Sequence, residues 1–465
     1  MKFINESKNT IYLEDINYHI SFLEDLSAQE IDLDSVKKSR NFRLLVALGQ
    51  IKIVEHSNSI FERSLLNMKK NVLQMDAEKK PCVEEEDIME NDLAVKIKGH
   101  FYEAGGYAKV NRNLAIALND LGVKVEIEPT STTQNHLTEE EVRQLAKINQ
   151  KVGRNAISID SMIPTFSSMS ASGYRVLYTT VEAASVPDQF VEVANQYHEV
   201  WVTSDFCEKV LKEYGVTRPI FVIPDSIDIE KYKPSSPYKF RPALKPFSFI
   251  SVFGWSYRKG YDLLLRSFLE EFSSDDPVSL LIISRFSGSS KQTDAVADSI
   301  HEYVDKYGGD NPPHIAKCCS VIPENLMPNL YSAANAFVLF SRGEGFGLPF
   351  AESSLCGLPV ISTNVSGHTM FLKKDNSFLI DVDNIQPMQT GLMNVHYWDD
   401  QLFPQLKNEK VLLEAKKQMR YVFENYSEAK DRNDKLQSFI RKNYSLPAVG
   451  SMAKKRLLEI WEKLS

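Results

Sequence analysis

The stretch SRGEGFGLPFAESSLCGLPVIST, Ser341–Thr363, decides how this chain is read. An apolar run, NAFVLF, ends at Phe340, and a glycine-rich loop follows it. Pro349 suits the first position of a helix, and Gly357 suits its end before the apolar run LPVIST. The pattern is strand, loop, helix, strand. A glycine loop feeding a helix start turns backbone N–H groups and the helix dipole toward an anion. Glu344 lies in the loop and Glu352 in the helix. Carboxylates beside a phosphate would repel it, so the pair is expected to hold hydroxyls of a sugar attached to that phosphate. A tight turn with two solvated acids is the plainer alternative, and the double-glutamate spacing argues against it.

Moving outward, short apolar runs alternate with helical stretches on both sides. In the second half these are FSFISVFG, VSLLIIS, KCCSVI, NAFVLF, LPVIST and SFLI. In the first half they are AVKIKG, VKVEIE, AISI, RVLYTTV, HEVWVTS and IFVIP. Runs rich in Val and Ile, alternating with helices, imply parallel sheets covered on both faces. Between them lies KYKPSSPYKFRPALKP, Lys231–Pro246, whose four prolines break any regular element. The expectation is therefore an α/β chain of two doubly wound domains, at 94–236 and 237–446, with the ligand in the cleft between them. The tail from Val411 is helical in pattern. A last helix, 447–465, is expected to complete the first domain through a stripe of Leu457, Leu458, Trp461 and Leu464.

Two further runs sit at strand ends. In FGWSYRKGYDLLLRSF, Phe253–Phe268, Arg258 and Lys259 follow the first strand of the second half, where a cation pair would face a diphosphate. Alone, the pair also suits a solvated turn. In HFYEAGGYAKVNRNLAIAL, His100–Leu118, Gly105 and Gly106 follow the first strand of the first half. The dinucleotide fingerprint G-x-G-x-x-G is not completed there, which argues against a dehydrogenase. Glu182 in YTTVEAASVPDQF lies past a strand end, where it could meet an acceptor or only water. Asp381-Val382-Asp383 has the form of a metal-binding Asp-x-Asp, but it comes late and reads as a turn.

Together, EGFGLPFAE, RKGYDLLLRSF, VIPDSIDIEKYKP and the early Gly-Gly loop resemble the retaining glycosyltransferases of family 4. The resemblance covers roughly residues 94–465. It implies the GT-B fold, two facing Rossmann-like domains, with Glu344 and Glu352 as the E-x7-E signature. It further implies that Glu344 contacts the transferred sugar and Glu352 the nucleotide ribose. Arg258 and Lys259 would neutralise the diphosphate, with Gly105 and Gly106 against it, and Gly345, Phe346, Gly347 and Leu348 would line the donor site. The family's arginine directly after the strand glycine is replaced by Trp255, and its histidine after the fourth strand has no counterpart in YTTVEAAS. The resemblance implies transfer of a hexose-type sugar from a nucleotide-diphosphate sugar to a hydroxyl of a glycan, lipid or protein-linked saccharide. No cofactor and no metal are expected. Transfer to a nucleic-acid base, or non-catalytic sugar-nucleotide binding, are the alternatives. No basic stripe with interleaved aromatics supports the former.

Composition bounds the rest. The 465 residues are 43% hydrophobic and 25% charged, with a formal charge of −8. An acidic balance argues against a nucleic-acid coat protein. The absence of an 18-residue apolar run and of a signal sequence leads to the expectation of a cytoplasmic protein, with peripheral membrane contact open. Five cysteines without metal-ligand spacing read as reduced thiols. Residues 1–93 hold 12 basic and 18 acidic side chains, so most of the negative charge lies there. They divide into an expected small α+β appendage at 1–76, opening on a hairpin over TIYLEDINYHISFLED and including a helix stopped by Gly49, and an acidic linker at 77–93.

Overall fold

In a computed structural model of the chain, the described residues run from 93 to 464. Residues 104, 132–136, 154–155, 165–172, 241–242, 285–289, 320–321 and 389–398 are outside the description. Of the residues before 93, only four short strands are described. Lys2–Asn5 pairs antiparallel with Ile51–Glu55, and Ile11–Leu13 with Tyr18–Ile20, the hairpin expected from the alternation. The expected helix before Gly49 and the acidic linker lie outside the described residues. Met1–Glu90 forms one compact unit and Asn91–Ser465 another.

The second unit holds two six-stranded parallel sheets. The first is built from β1 (Ala94–Gly99), β2 (Lys124–Pro129), β3 (Ile157–Ser161), β4 (Arg175–Thr179), β5 (Glu199–Val202) and β6 (Ile220–Val222). Its spatial order is β6-β5-β4-β3-β1-β2. The second sheet holds β7 (Phe247–Phe253), β8 (Val278–Ser284), β9 (His314–Cys318), β10 (Ala336–Leu339), β11 (Val360–Thr363) and β12 (Phe378–Ile380). Its order is β9-β8-β7-β10-β11-β12, the dinucleotide-fold order, which reverses direction between β7 and β10. The reversal leaves a crevice at the carboxyl ends of those two strands. The loops carrying Arg258–Lys259 and Glu344–Gly347 emerge on either side of it.

The apolar runs form these strands because both sheet faces are covered. Every residue of β7 and of β8 is buried. Phe247, Phe249, Phe268, Phe272 and Phe423 meet edge-on or tilted around β7, with ring centroids 5.1–6.4 Å apart. The strand expected at KCCSVI instead occupies His314–Cys318, because this edge strand takes its register from β8, with His314 opposite Ser279.

The helices that matter for the site are α1 (Gly106–Asp120), α2 (Tyr261–Glu271), α3 (Leu348–Leu355) and α4 (Leu446–Leu464). The last crosses back to the first domain and packs on α1. Gly450 makes that possible, since a Cβ there would lie 2.8 Å from the Ala117 Cβ. Lys454 Nζ caps α1 at the Leu121 carbonyl, 2.6 Å away, where the helix dipole favours a cation. The docking stripe differs from the expected one. Val449, Ala453, Leu457 and Ile460 are buried, whereas Leu458 and Leu464 are 39% and 52% exposed. Helical spacing puts Ile460, not Leu458, on the face that Leu457 defines.

Candidate active site

One cavity of about 400 Å³ opens between the two domains at the strand carboxyl ends. It is lined by all of the sequence-derived candidates: Arg258, Lys259, Glu344, Glu352, Gly105, Gly106, Gly345, Phe346, Gly347, Leu348 and Glu182. They come from five separate loops and helices, so only the fold brings them together.

The cation turn is built locally. After β7 the chain makes a 3₁₀ turn, Tyr257–Lys259, and leaves it at Gly260 with φ +69°. A side chain at Gly260 would collide with the Phe340 carbonyl at the end of β10. Arg342, which the sequence reading passed over, locks this turn. Its guanidinium is fully buried, donates to the Tyr257 carbonyl (2.6 Å) and forks onto Asp262 (2.8 and 2.7 Å). It also lies 3.8 Å over the Tyr257 ring. Such a planar fork fits a carboxylate in a way a lysine would not.

The turn presents Lys259 and Arg258 to Glu344. Lys259 Nζ lies 2.6 and 2.8 Å from the two Glu344 oxygens. Arg258 is 3.9 Å from Glu344, 3.1 Å from Glu182, and donates to the Gly343 carbonyl. Burial alone would raise the Glu344 carboxyl, but the Lys259 and Arg258 charges outweigh it and hold the group below the usual carboxylate range. Burial, reinforced by the Arg258 charge, lowers the Lys259 ammonium below its ordinary value despite Glu344. Glu344 is therefore an ionised, charge-compensated carboxylate, and the repulsion that two bare acids would exert on a phosphate is largely cancelled.

Its backbone is held as firmly. The Glu344 amide donates to Ser366 Oγ (3.0 Å), and its carbonyl accepts from the Gly367 amide (2.9 Å). Ser366 has φ +57°, a left-handed conformation that a serine rarely takes. Backbone strain of this kind persists where surrounding contacts over-determine it. Behind this loop the His368 ring touches the Thr363 carbonyl (2.8 Å), and burial lowers it to about 4, so it stays neutral near pH 7.

Two helix starts face the cavity. α1 begins at Gly106 with Gly105 as its N-cap, and a Cβ at either glycine would meet nothing within 4 Å. α3 begins at Leu348 after Gly347 (φ +100°), one residue before the expected start at Pro349. Both dipoles favour negative charge in the space between them.

Glu352, on the second turn of α3, is not an isolated acid. Its oxygens take Lys109 Nζ at 2.5 Å and the Tyr331 hydroxyl at 3.1 Å. Lys109 also reaches the Tyr232 hydroxyl (2.8 Å) and Glu324 (3.1 Å), and Arg112 reaches Glu324 at 2.9 Å. Burial would raise Glu324, but the charges of Lys109, Lys231 and Arg112 hold it far below its normal range. This network ties α1 to the second domain. The sequence signal was present but unread: Lys109 and Arg112 stand in a helix, AKVNRNLAIAL, whose other face is apolar.

Glu182, read from the sequence as meeting an acceptor or only water, is half-buried and ion-paired with Arg258. The domains touch closely beside it. A Cβ on Gly343 would strike the Glu182 carbonyl, and one on Gly345 would strike the Thr180 side chain. Among the described residues, no three His, Cys, Asp or Glu side chains are gathered as a metal site requires. Asp381 accepts from Lys374 (2.7 Å) and Asn364 (2.8 Å) in an exposed turn, outside the cavity lining. No helix among the described residues is long and apolar enough to cross a membrane.

Residues 245–395 match the family model described as glycosyl transferases group 1. D-inositol 3-phosphate glycosyltransferase 1 of Catenulispora acidiphila is 25% identical over 171 residues, 36% of this chain and 40% of its own length. Mannosylfructose-phosphate synthase of Agrobacterium fabrum is 27% identical over 160 residues, covering 33% and 35%. The chain thus matches less than half the length of these relatives. Among solved structures, sucrose-phosphate synthase from Thermosynechococcus elongatus superposes with a TM-score of 0.54 at 14% identity, covering 80% of this chain and 99% of that one. HepE of Anabaena in complex with UDP-glucose gives 0.52 at 12% identity, covering 79% and 99%. The fold is GT-B, and the match to the group 1 glycosyltransferase model falls on residues 245–395, its second domain.

Proposed function

We propose that this chain is a retaining glycosyltransferase of family 4. It would move a hexose-type sugar from a nucleotide-diphosphate sugar to a hydroxyl acceptor, without a metal ion or cofactor. One observation carries the reading. A cation pair, Arg258 and Lys259, two helix starts and the compensated carboxylate Glu344 all face one cavity between the domains.

As the glycosidic bond to the diphosphate breaks, negative charge grows on the departing oxygens and positive charge on the sugar ring. Arg258, Lys259 and the start of α3 stabilise the first, and preorganised donors of this kind are worth most in a buried site. Glu344 accepts from sugar hydroxyls and favours the second. Glu352 and Lys109 form the wall expected at the nucleotide ribose. Closeness of the domains at Gly343 and Gly345 keeps water from the reacting carbon. Retention of configuration rests on the family resemblance. The UDP-glucose held by HepE supports a nucleotide-sugar donor, and the relative named D-inositol 3-phosphate glycosyltransferase supports sugar transfer.

A panel of UDP-, GDP- and ADP-sugars, assayed for nucleotide release and thermal stabilisation of the full chain, tests this. At least one is expected to raise the melting temperature and be consumed. A protein that neither binds nor consumes any of them is no glycosyltransferase.

A further inference from the structure

The first-domain wall of the cavity carries polar groups, most of which are already engaged. The Thr180 hydroxyl pairs with Thr203 at 2.8 Å, Tyr107 with Thr179 at 3.4 Å, and Glu182 with Arg258. The Tyr178 hydroxyl donates to the Ile223 carbonyl at 3.0 Å. Two buried atoms of this wall have no hydrogen-bond partner among the described residues: Asp225 Oδ1 and Ser161 Oγ. Asp225 is 7% exposed and Ser161 1%, and both line the cavity.

Their placement is not accidental to the fold. Ser161 ends β3 in register with Tyr178 on β4, so their side chains share one face of the sheet. The Tyr178 hydroxyl in turn fastens the segment Ile223–Pro224 that delivers Asp225. A buried carboxyl oxygen without a partner, as Asp225 Oδ1 is, costs stability unless something bonds to it.

We propose that Asp225 and Ser161 form an acceptor subsite that binds the hydroxyls of a neutral sugar or polyol, opposite the cations that take the diphosphate. This rests on the glycosyltransferase reading and adds to it the chemistry of the acceptor. A carboxyl and a hydroxyl pair well with vicinal hydroxyls, which donate and accept. A phosphate or carboxylate of an acceptor would be repelled by ionised Asp225, and the cavity's Arg258 and Lys259 stand on the other domain. Burial raises the Asp225 carboxyl to about 7, outweighing the lowering influence of the Tyr178 hydroxyl beside it, so near neutral pH it serves as donor or acceptor. Tyr178 and Tyr107 face it, and burial keeps both phenols protonated.

The test uses the full chain with the nucleotide sugar found in the panel. Nucleotide release is measured with no acceptor and with methyl α-D-glucoside, methyl α-D-mannoside or glycerol as probes, and nucleotide affinity by calorimetry. At least one probe is expected to stimulate release. Asp225→Ala should raise its half-stimulating concentration tenfold or more, Ser161→Ala about threefold, and Asp225→Asn less than Asp225→Ala. Nucleotide affinity should stay within twofold in all three. Melting temperatures verify folding, and the isosteric Asp225→Asn carries the test if the alanine variant unfolds. The proposal fails if the half-stimulating concentration is unchanged, which means these groups hold only water. It fails equally if nucleotide affinity drops in parallel, or if no probe stimulates the wild type. A wild type that binds no nucleotide sugar overturns the activity itself, a different outcome.

Discussion

Lys259 Nζ sits between the two carboxylate oxygens of Glu344, 2.6 and 2.8 Å from them, in a cavity where both side chains are at least 87% buried. A diphosphate entering this cavity must share the lysine with the glutamate. On the proposed reading the pair is a donor site already filled by an internal anion, and its two members are expected to have opposite effects on nucleotide binding.

Lys259→Ala removes the shared cation and leaves Glu344 facing the phosphates. Nucleotide affinity is expected to fall at least tenfold and turnover by more, since the charge on the leaving group grows as the bond breaks. Unchanged affinity in calorimetry would rule out a phosphate role for this residue.

Glu344→Gln acts the other way on binding. It frees Lys259, so nucleotide affinity should hold or rise, while turnover falls by about 10²–10³, the usual cost of removing one group that stabilises transition-state charge. Steady-state rates compared with calorimetric affinities separate the two effects. A parallel loss in both would mean that Glu344 serves binding alone.

Arg342→Met leaves Asp262 buried without its guanidinium, and breaking a buried pair on one side costs about 3–5 kcal/mol. The double variant Arg342→Met/Asp262→Leu should recover most of that loss in urea denaturation. Activity should not return with it, because the Tyr257–Lys259 turn stays unfastened.

Gly343→Ala forces the first domain away, because the Glu182 backbone carbonyl occupies the place of the new methyl. The expected result is at least a tenfold loss of turnover and a larger radius of gyration in solution scattering. Gly153→Ala, in open space at a loop, is the control that should change neither.

Asp225→Asn gives a pH signature. The carboxyl has its folded value raised to about 7 from 3.8. Between these limits the folded state binds the extra proton, so wild-type stability falls as pH rises, and the whole penalty is present above 7. The variant escapes it. Its stability gain over wild type should be near zero at pH 4, grow to pH 7 and level off at about 4 kcal/mol above that. Denaturant titrations across pH measure it, and a gain independent of pH would show that Asp225 does not titrate there.

Much of this was legible in the chain before folding. The apolar runs marked eleven of the twelve parallel strands to within a few residues, because burial on both sheet faces leaves a continuous Val, Ile, Leu and Phe signature. The shifted one, His314–Cys318, is an edge strand with partly exposed residues, where that signature is weak. The glycine-rich loop before Pro349 announced a turn, and Gly347 within it takes positive φ. The misplaced part of the docking stripe, Leu458 and Leu464, shows the limit of spacing alone: an apolar side chain on a helix does not say which neighbour covers it.

What the sequence determined by itself was local: strand, loop and helix follow from hydrophobic period and from the few residues that tolerate a turn. Those are nearest-neighbour properties. What only the tertiary structure decided was the pairing of charges. Lys109 meets Glu352 across 243 positions, Lys259 meets Glu344 across 85, and Glu182 turns to Arg258. No spacing rule joins such partners, since Coulomb attraction depends on distance in space, and that distance exists only once two sheets have folded and closed on each other. The two glutamates line one cavity, and each arrives with a lysine that its own stretch of sequence does not name.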